Sequence, residues 1–198
     1  MTVEMVPDVS NIHMQAFEGA MNVRLGTGYA NAFFNYFLGI NDGIALVATD
    51  SSKQIFGYII GGPLGCGQSM NRRLFWVASR AICLHPWLLL SQQFRSTVKA
   101  RVEVMLGKSQ ELPLPLDLPK PVMCLMAFAV APRFQGRGIG KHLLMAFEQC
   151  ARALSMRSLG LSVYLENTGA RSVYEKCGWK ACEEIEMPKK TMYYSRKL

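Results

Sequence analysis

The strongest constraint on the fold is a strand-like run that leads into a glycine-rich turn. Residues 122–130 read VMCLMAFAV, residues 131–141 read APRFQGRGIGK, and residues 138–156 have the apolar spacing of a helix. A glycine-rich turn between a strand and a helix exposes backbone N–H groups at the positive end of the helix, where they bind phosphate. The segment therefore predicts a strand, an anion-binding turn and a helix in direct succession.

Two common phosphate-binding motifs do not fit the spacing of this turn. A P-loop would need glycine where Gln135 stands, and serine or threonine where His142 stands. A dinucleotide-binding fingerprint would need G-x-G-x-x-G, whereas glycines at 136, 138 and 140 give G-x-G-x-G late in the chain. A turn whose glycines serve only a tight chain reversal stays open as an alternative.

The rest of the chain predicts an α/β (α+β) fold. A first strand is expected at residues 2–6, followed by a helix within 11–21 with Asp8 or Ser10 as its N-cap, and by a helix at 29–39 that ends at Gly39. Later elements are a hairpin (43–50 and 53–62), strands at 159–165, 179–187 and 190–198, and a helix at 169–177. The order strand, helix, strand over 122–165 predicts a parallel βαβ unit in a mixed sheet.

Residues 63–121 interrupt this alternation of strands and helices. Helical stretches are expected at 70–84 and 87–107, and prolines 113, 115, 119 and 121 force extended backbone after them. Residues 74–90, LFWVASRAICLHPWLLL, are the most apolar segment, but Arg80 and Pro86 interrupt it before the length that crosses a bilayer. We expect this segment to be buried beside the core, with peripheral membrane contact as the alternative.

Length and composition favour one globular domain over residues 1–198, with 50% hydrophobic and 18% charged residues. The formal net charge of +8 favours an anionic ligand, but no nucleic-acid-binding motif accompanies it, so no nucleic-acid partner is expected. Six cysteines without a CxxC pair and three widely spaced histidines predict reduced thiols, a cytoplasmic location and no metal site. The oligomeric state stays open, with a homodimer among the options.

Two motifs of this chain resemble those of the GCN5-related N-acetyltransferases (GNAT). Residues 135–140, QGRGIG, are similar to that family's Q/R-x-x-G-x-G/A segment, and residues 161–179, LSVYLENTGARSVYEKCGW, resemble its N-x-x-A-x-x-x-Y-E-K-x-G-F stretch. The resemblance covers residues 122–180 and implies a mixed, mostly antiparallel sheet of six or seven strands flanked by helices. In that fold acetyl-CoA lies where the fourth and fifth strands splay apart, and residues 63–121 become a helical insertion before the fourth strand.

The resemblance also implies roles for individual residues. The pyrophosphate of acetyl-CoA would lie on the backbone N–H groups of the loop, the strand before it would pair with the pantetheine arm, and Asn167 would hydrogen-bond the coenzyme. Tyr174 would act in catalysis by protonating the departing thiolate. The implied coenzyme-binding residues are Phe128, Ala129, Val130, Gln135, Gly136, Arg137, Gly138, Ile139, Gly140, Lys141 and Asn167.

Neither the acceptor nor the general base follows from the resemblance. Relatives that acetylate an α-amine carry a glutamate on the fifth strand, where this chain has Ser162, and His13, Glu18, Tyr164 and Glu166 are the other candidates. We expect an acyltransferase that acetylates the amine of a small molecule, and the arginines of the insertion favour an acceptor that bears a phosphate or a sugar nucleotide. The alternatives are a peptide or protein amine as acceptor, and a non-catalytic acyl-CoA-binding module at a membrane surface.

Overall fold

The computed structural model describes residues 1–18, 20–107, 117–185 and 190–198. The helices are α1 Val6–Ala16, α2 Met21–Arg24, α3 Thr27–Gly39, α4 Cys66–Arg73, α5 Phe75–Leu84, α6 Gln92–Met105, α7 Ile139–Ala153 and α8 Thr168–Lys176. The strands are β1 Ile44–Thr49, β2 Ile55–Pro63, β3 Val122–Val130, β4 Ser158–Tyr164, β5 Lys180–Ile185 and β6 Thr191–Lys197. Short 3-10 helices lie at Val3–Met5, Pro86–Leu90 and Pro132–Phe134.

The strands form a six-stranded sheet in the order β1-β2-β3-β4-β6-β5. Neighbouring strands are antiparallel except for β3 and β4, which are parallel and joined through α7. The predicted α/β class, the hairpin of β1 and β2, and the parallel βαβ unit are therefore confirmed.

The sheet opens between β3 and β4. Their pairing covers only Val122–Leu125 of β3 against Ser158–Leu161 of β4, whereas β3 stays paired with β2 as far as Val130. The second half of β3 therefore presents an edge that no strand of the described chain covers. This is the splay that the resemblance implies, and it lies between the third and fourth strands because the expected first strand does not form.

Helices cover both faces of the sheet, and the two-residue period of the strands sorts the core between them. On one face, Tyr58 and Ala127 join an aromatic cluster supplied by α1 and α3. On the other face, Ile59 and Met123 pack against α7 and α8. Both cores meet at β2 and β3, which makes these two strands the rigid centre on which the splay is built.

The prediction of a strand at residues 2–6 is wrong. Val3–Met5 form a 3-10 turn, and α1 begins at Val6, with Pro7 in its first turn. Proline suits this position because its missing N–H would have no partner there. Val6, Val9 and Ile12 are buried at helical spacing, so helix burial overrides the β preference of the valines. Asp8 and Ser10 consequently lie inside α1 and do not cap it.

The insertion is helical, as predicted, but its most apolar part is not buried as expected. The stretch 70–84 is divided into α4 and α5 at Leu74, and the stretch 87–107 consists of a 3-10 turn followed by α6. No residue of α5 or of Pro86–Leu90 is fully buried. Prolines 113 and 115, and residues 186–187 of the last predicted strand but one, lie outside the described residues. None of the helices in the described ranges is long and apolar enough to cross a membrane.

Candidate coenzyme-binding groove

A groove of about 570 Å³ lies where β3 leaves β4. Its walls are the second half of β3, the turn before α7, the first turn of α7, one side of α8 along its whole length, and the end of α1. Ten of the twelve site residues expected from the sequence line it: Phe128, Ala129, Val130, Gln135, Gly136, Gly138, Ile139, Gly140, Lys141 and Asn167. The other two, Arg137 and Tyr174, are not among the described residues that line the groove.

The glycine-rich turn presents backbone to the groove. Gly136 and Gly138 have φ values of +76° and +79°, a left-handed conformation that residues with a Cβ rarely adopt. A Cβ at Gly136 would meet nothing within 4 Å, and one at Gly138 would meet only the His142 ring at 3.9 Å. The space beside the turn is therefore open, and Gly138 is the N-cap of α7, whose first N–H groups have no partners within the helix. This is the arrangement that binds phosphate.

The free edge of β3 offers further backbone groups. The Ala131 N–H donates to the Phe56 carbonyl across the ladder at 2.8 Å, so by strand alternation Ala129 also turns its N–H and C=O toward β2. Phe128 and Val130 therefore direct their backbone groups toward the groove. The Gln135 side chain donates to the Val130 carbonyl at 3.0 Å, which leaves the Val130 N–H and both groups of Phe128 for a ligand.

Asn167 has a structural role and also faces the groove. Its Oδ1 accepts a hydrogen bond from the Ala170 N–H at 3.1 Å, which makes Asn167 the N-cap of α8. An asparagine side chain has a separate NH₂ donor. Because Oδ1 is engaged in the cap, that NH₂ group is the part of the side chain that can bind a ligand in the groove.

Tyr174 lies one layer behind the groove. The side chain is only 5% exposed, and its ring centroid lies 6.2 Å from that of Phe128 and 5.9 Å from that of Trp179. Burial raises the pKa of the Tyr174 hydroxyl well above its ordinary value. The phenol is therefore protonated at neutral pH, as a proton or hydrogen-bond donor must be.

A buried pair on the other side of β3 joins His13, one of the candidate bases, to Tyr58, which the sequence did not single out. The Tyr58 hydroxyl of β2 hydrogen-bonds Nδ1 of His13 in α1, and both residues are almost fully buried. Burial raises the pKa of Tyr58, and the nearby Tyr174 hydroxyl raises it further. Tyr58 stands opposite Ala129 in the ladder, and His13 lies one helical turn before Phe17. Ala129 and Phe17 both line the groove, so the pair lies directly behind its wall. The partners are 45 residues apart, and no local signal in the sequence pairs them.

A second network fixes α8 to the sheet. The Tyr194 hydroxyl donates to Glu175 Oε1 at 2.6 Å and accepts from Arg171 Nε at 3.2 Å. Arg171 also donates to the Leu165 carbonyl at 3.2 Å. Glu175 of the YEK motif thereby holds the helix that carries Tyr174 against β6.

The remaining predicted residues are scattered. The Arg137 guanidinium lies 5.4 Å from the centroid of the Phe134 ring. Ser162 of β4, Glu18 after α1 and Glu166 after β4 are exposed, and none of them lines the groove. Within the described ranges no cluster of three or more His, Cys, Asp or Glu side chains could hold a metal ion.

Comparison with known proteins agrees with the fold and with the motifs. Residues 103–179 match the acetyltransferase (GNAT) family. A stretch of 58 residues is 33% identical to the uncharacterised N-acetyltransferase YycN of Bacillus subtilis strain 168, covering 29% of this chain and 37% of that protein. The chain thus matches little more than a third of the length of this curated relative.

Solved structures share the whole fold at low sequence identity. One described as an acetyltransferase has a TM-score of 0.57 and 19% identity, covering 99% of this chain and 96% of its own. A single-residue mutant of spermidine N-acetyltransferase SpeG from Vibrio cholerae has a TM-score of 0.59 and 12% identity, covering 100% of this chain and 92% of its own. At such identities the likeness extends to the fold alone.

Proposed function

We propose that the chain is a member of the GNAT superfamily and that it transfers the acetyl group of acetyl-CoA to the amine of a small-molecule acceptor, a proposal that the family match over residues 103–179 and the fold of the solved acetyltransferase structures support. The observation that carries the proposal is the groove at the splay of β3 and β4, which ends at the glycine turn and the N-terminus of α7. The groove brings the glycine turn and a free strand edge into one continuous site.

The residues of the groove fit the two ends of the donor. Backbone N–H groups from Gly136 to Lys141 would hold the pyrophosphate, and Lys141 and Lys176, which also line the groove, would add positive charge. The backbone groups of Phe128 and Val130 would pair with the amides of the pantetheine arm. One of their N–H groups would also donate to the acetyl carbonyl oxygen, which gains negative charge as the amine attacks. When bound, acetyl-CoA supplies the thioester that the acceptor amine attacks.

Proton transfer falls to groups behind the groove. Tyr174 would donate to the departing sulfur, and its raised pKa keeps the required proton in place at neutral pH. The His13 imidazole would take up the proton that the attacking amine releases, with the Tyr58 hydroxyl accepting that proton and passing its own to His13 Nδ1, because this buried, hydrogen-bonded pair adjoins the same stretch of β3. The pair would supply the proton acceptor that Ser162 cannot provide.

The acceptor would enter beside Ala16, Phe17 and Phe134, which form an apolar part of the wall. The net charge of +8 favours a neutral or anionic amine, including one that bears a phosphate, over a polycation such as the spermidine that the Vibrio cholerae neighbour acts on.

The arginines of the insertion give weaker support to a phosphate-bearing acceptor than the sequence alone suggests. Arg72 donates to the Met105 carbonyl, Arg95 to the Leu89 carbonyl, and Arg101 to the Tyr29 hydroxyl. Arg72 and Arg95 thus hold parts of the insertion together, and Arg101 ties the insertion to α3. None of the three lines the groove.

An acceptor screen tests the proposal. The protein is incubated with acetyl-CoA and panels of neutral, phosphate-bearing, peptide and polyamine amines, and free coenzyme A is quantified by chromatography. A thiol reagent is unsuitable because the exposed Cys83 and Cys182 would react with it. Release above the acceptor-free rate with a neutral or anionic amine is the expected result. Binding of acetyl-CoA without release in any panel would instead favour the non-catalytic acyl-CoA-binding module.

A further inference from the structure

Helix α5 and the 3-10 turn that follows it carry an unusual concentration of exposed apolar side chains. The large apolar residues exposed within residues 75–90 are Phe75, Trp76, Val77, Leu84, Trp87, Leu89 and Leu90. Trp76 and Leu90 are 78% and 81% exposed. Monomeric proteins rarely leave so many large apolar groups uncovered unless they meet a partner or a membrane. We call this surface the apolar face.

The helix is amphipathic with its larger apolar residues facing outward. Trp76, Arg80 and Leu84 are spaced four residues apart and therefore share one stripe of α5. The opposite stripe holds Ala78, Ala81 and Ile82, which pack on the core formed by α1, α3 and the sheet. These three residues attach α5 to the fold, and the outward stripe is not needed for that attachment.

The surroundings of the apolar face are strongly basic. Between residues 66 and 105 there are six basic residues against one acidic residue, a balance of +5 within a chain of net charge +8: Arg72, Arg73, Arg80, Arg95, Lys99 and Arg101 against Glu103. Arg73 and Arg80 are exposed and make no hydrogen bond or ion pair with the described residues. Both guanidinium groups therefore remain available for anions, and Arg80 shares the outward stripe of α5 with Trp76.

We propose that the apolar face docks on the surface of a bilayer that contains anionic phospholipids. Trp76, Leu84 and Leu90 would enter the interfacial layer, and Arg73 and Arg80 would meet the headgroup phosphates. A second copy of the chain is disfavoured because a symmetric contact would bring two equally basic surfaces together. A nucleic acid is disfavoured because it would leave the aliphatic side chains uncovered.

Vesicle flotation with the full chain tests this inference, and it needs neither acetyl-CoA nor an acceptor, so its outcome is independent of the proposed activity. The vesicles contain phosphatidylcholine alone, or phosphatidylcholine with about a third phosphatidylserine. We expect flotation with the anionic vesicles, loss of flotation at high salt, and little flotation with phosphatidylcholine alone. Absence of flotation with the anionic vesicles would overturn the proposal.

Matched pairs of variants locate the contact. Trp76→Glu should abolish flotation, while Met145→Glu, on an exposed apolar residue of α7, should leave it intact. Arg73→Gln with Arg80→Gln should weaken partitioning by roughly 25-fold, because each basic residue near an anionic surface contributes about fivefold. The control is Arg152→Gln with Arg157→Gln, which removes the same charge elsewhere. Equal losses in test and control pairs would refute docking through this face.

Intrinsic fluorescence gives a second readout, since the chain has only three tryptophans. Trp76 and Trp87 are exposed and Trp179 is buried, so a blue shift on adding anionic vesicles would come from the apolar face. Trp76→Phe with Trp87→Phe should remove the shift. A shift that persists in this variant would contradict the proposal, as would a wild-type dimer that Trp76→Glu converts to a monomer.

Discussion

Replacing Gly138 by aspartate separates the proposed phosphate contact from the stability of the turn. Gly138 is the N-cap of α7 with φ +79°, and a Cβ there has no neighbour closer than the His142 ring at 3.9 Å. The left-handed conformation costs an ordinary L-residue about 1–2 kcal/mol. Glycine is itself a good N-cap, so an aspartate there returns only about a few tenths of a kcal/mol through its hydrogen bond to the helix. The free energy of unfolding should therefore fall by about 1–2 kcal/mol.

The negative charge of the aspartate should in addition weaken the binding of coenzyme A. A carboxylate about 6 Å from a pyrophosphate of two negative charges, at an effective dielectric constant of about 40–80, raises the binding free energy by about 1.4–2.8 kcal/mol. That increase corresponds to an affinity roughly ten- to a hundredfold weaker. Gly138→Asn is the matched control because it has the same shape and capping ability but no charge.

Isothermal titration of coenzyme A into both variants measures the effect, with chemical denaturation as the stability check. Gly138→Asp should bind much more weakly than Gly138→Asn, and the gap should narrow as salt is added. If the two variants bind coenzyme A equally well, no phosphate lies at this turn and the assignment fails.

The remaining predictions concern the proton-transfer groups and the core. Tyr174→Phe should lower kcat while leaving the affinity for coenzyme A nearly intact, and unchanged turnover would reduce Tyr174 to a core residue. Tyr58→Phe should likewise lower kcat without raising KM for acetyl-CoA, because it removes only the hydroxyl that is hydrogen-bonded to His13. A lower free energy of unfolding with unchanged kcat would refute the role of this pair in proton transfer. Burial raises the pKa of Tyr174 above 10.0 only in the folded state, so the free energy of unfolding should decline as pH rises through 10. In urea titrations this decline should be shallower for Tyr174→Phe than for the wild type. Equal declines in the two proteins would contradict this assignment. Gly61→Ala should destabilise the fold by about 2 kcal/mol or more, because its Cβ would lie 2.6 Å from Phe147 Cζ and would also clash with the Cys124 carbonyl, and an unchanged denaturation midpoint would show that the core can yield there.

Features encoded in contiguous residues were predictable from the sequence. The strand at 122–130, the glycine turn and α7 follow one another directly, so local patterns sufficed to predict the strand, turn and helix that form this end of the groove. The same holds for Asn167, whose capping role is set by the residues just after it. At the N-terminus local preference misled, because Val3 and Val6 favour a strand by type while burial at helical spacing creates α1.

Features that depend on distant residues were not predictable. The contact of His13 with Tyr58 requires α1 to pack against β2. The position of Tyr174 behind the groove depends on how α8 packs against β3. Hydropathy alone also could not show whether the apolar side chains of residues 74–90 face the core or the solvent, because the same apolar sequence is compatible with both environments. The structure resolves this ambiguity, because Ala78, Ala81 and Ile82 form the inner stripe of α5 and the other large apolar residues of the helix are left outside it.

The central claim is that the splay between β3 and β4 holds acetyl-CoA. A crystal structure of the chain grown with coenzyme A tests it most directly. We predict density for the pyrophosphate on the backbone N–H groups of residues 136–141 and for the pantetheine arm along the edge formed by Phe128 and Val130. Coenzyme A bound elsewhere on the protein, with the groove empty at saturating ligand, would contradict the account.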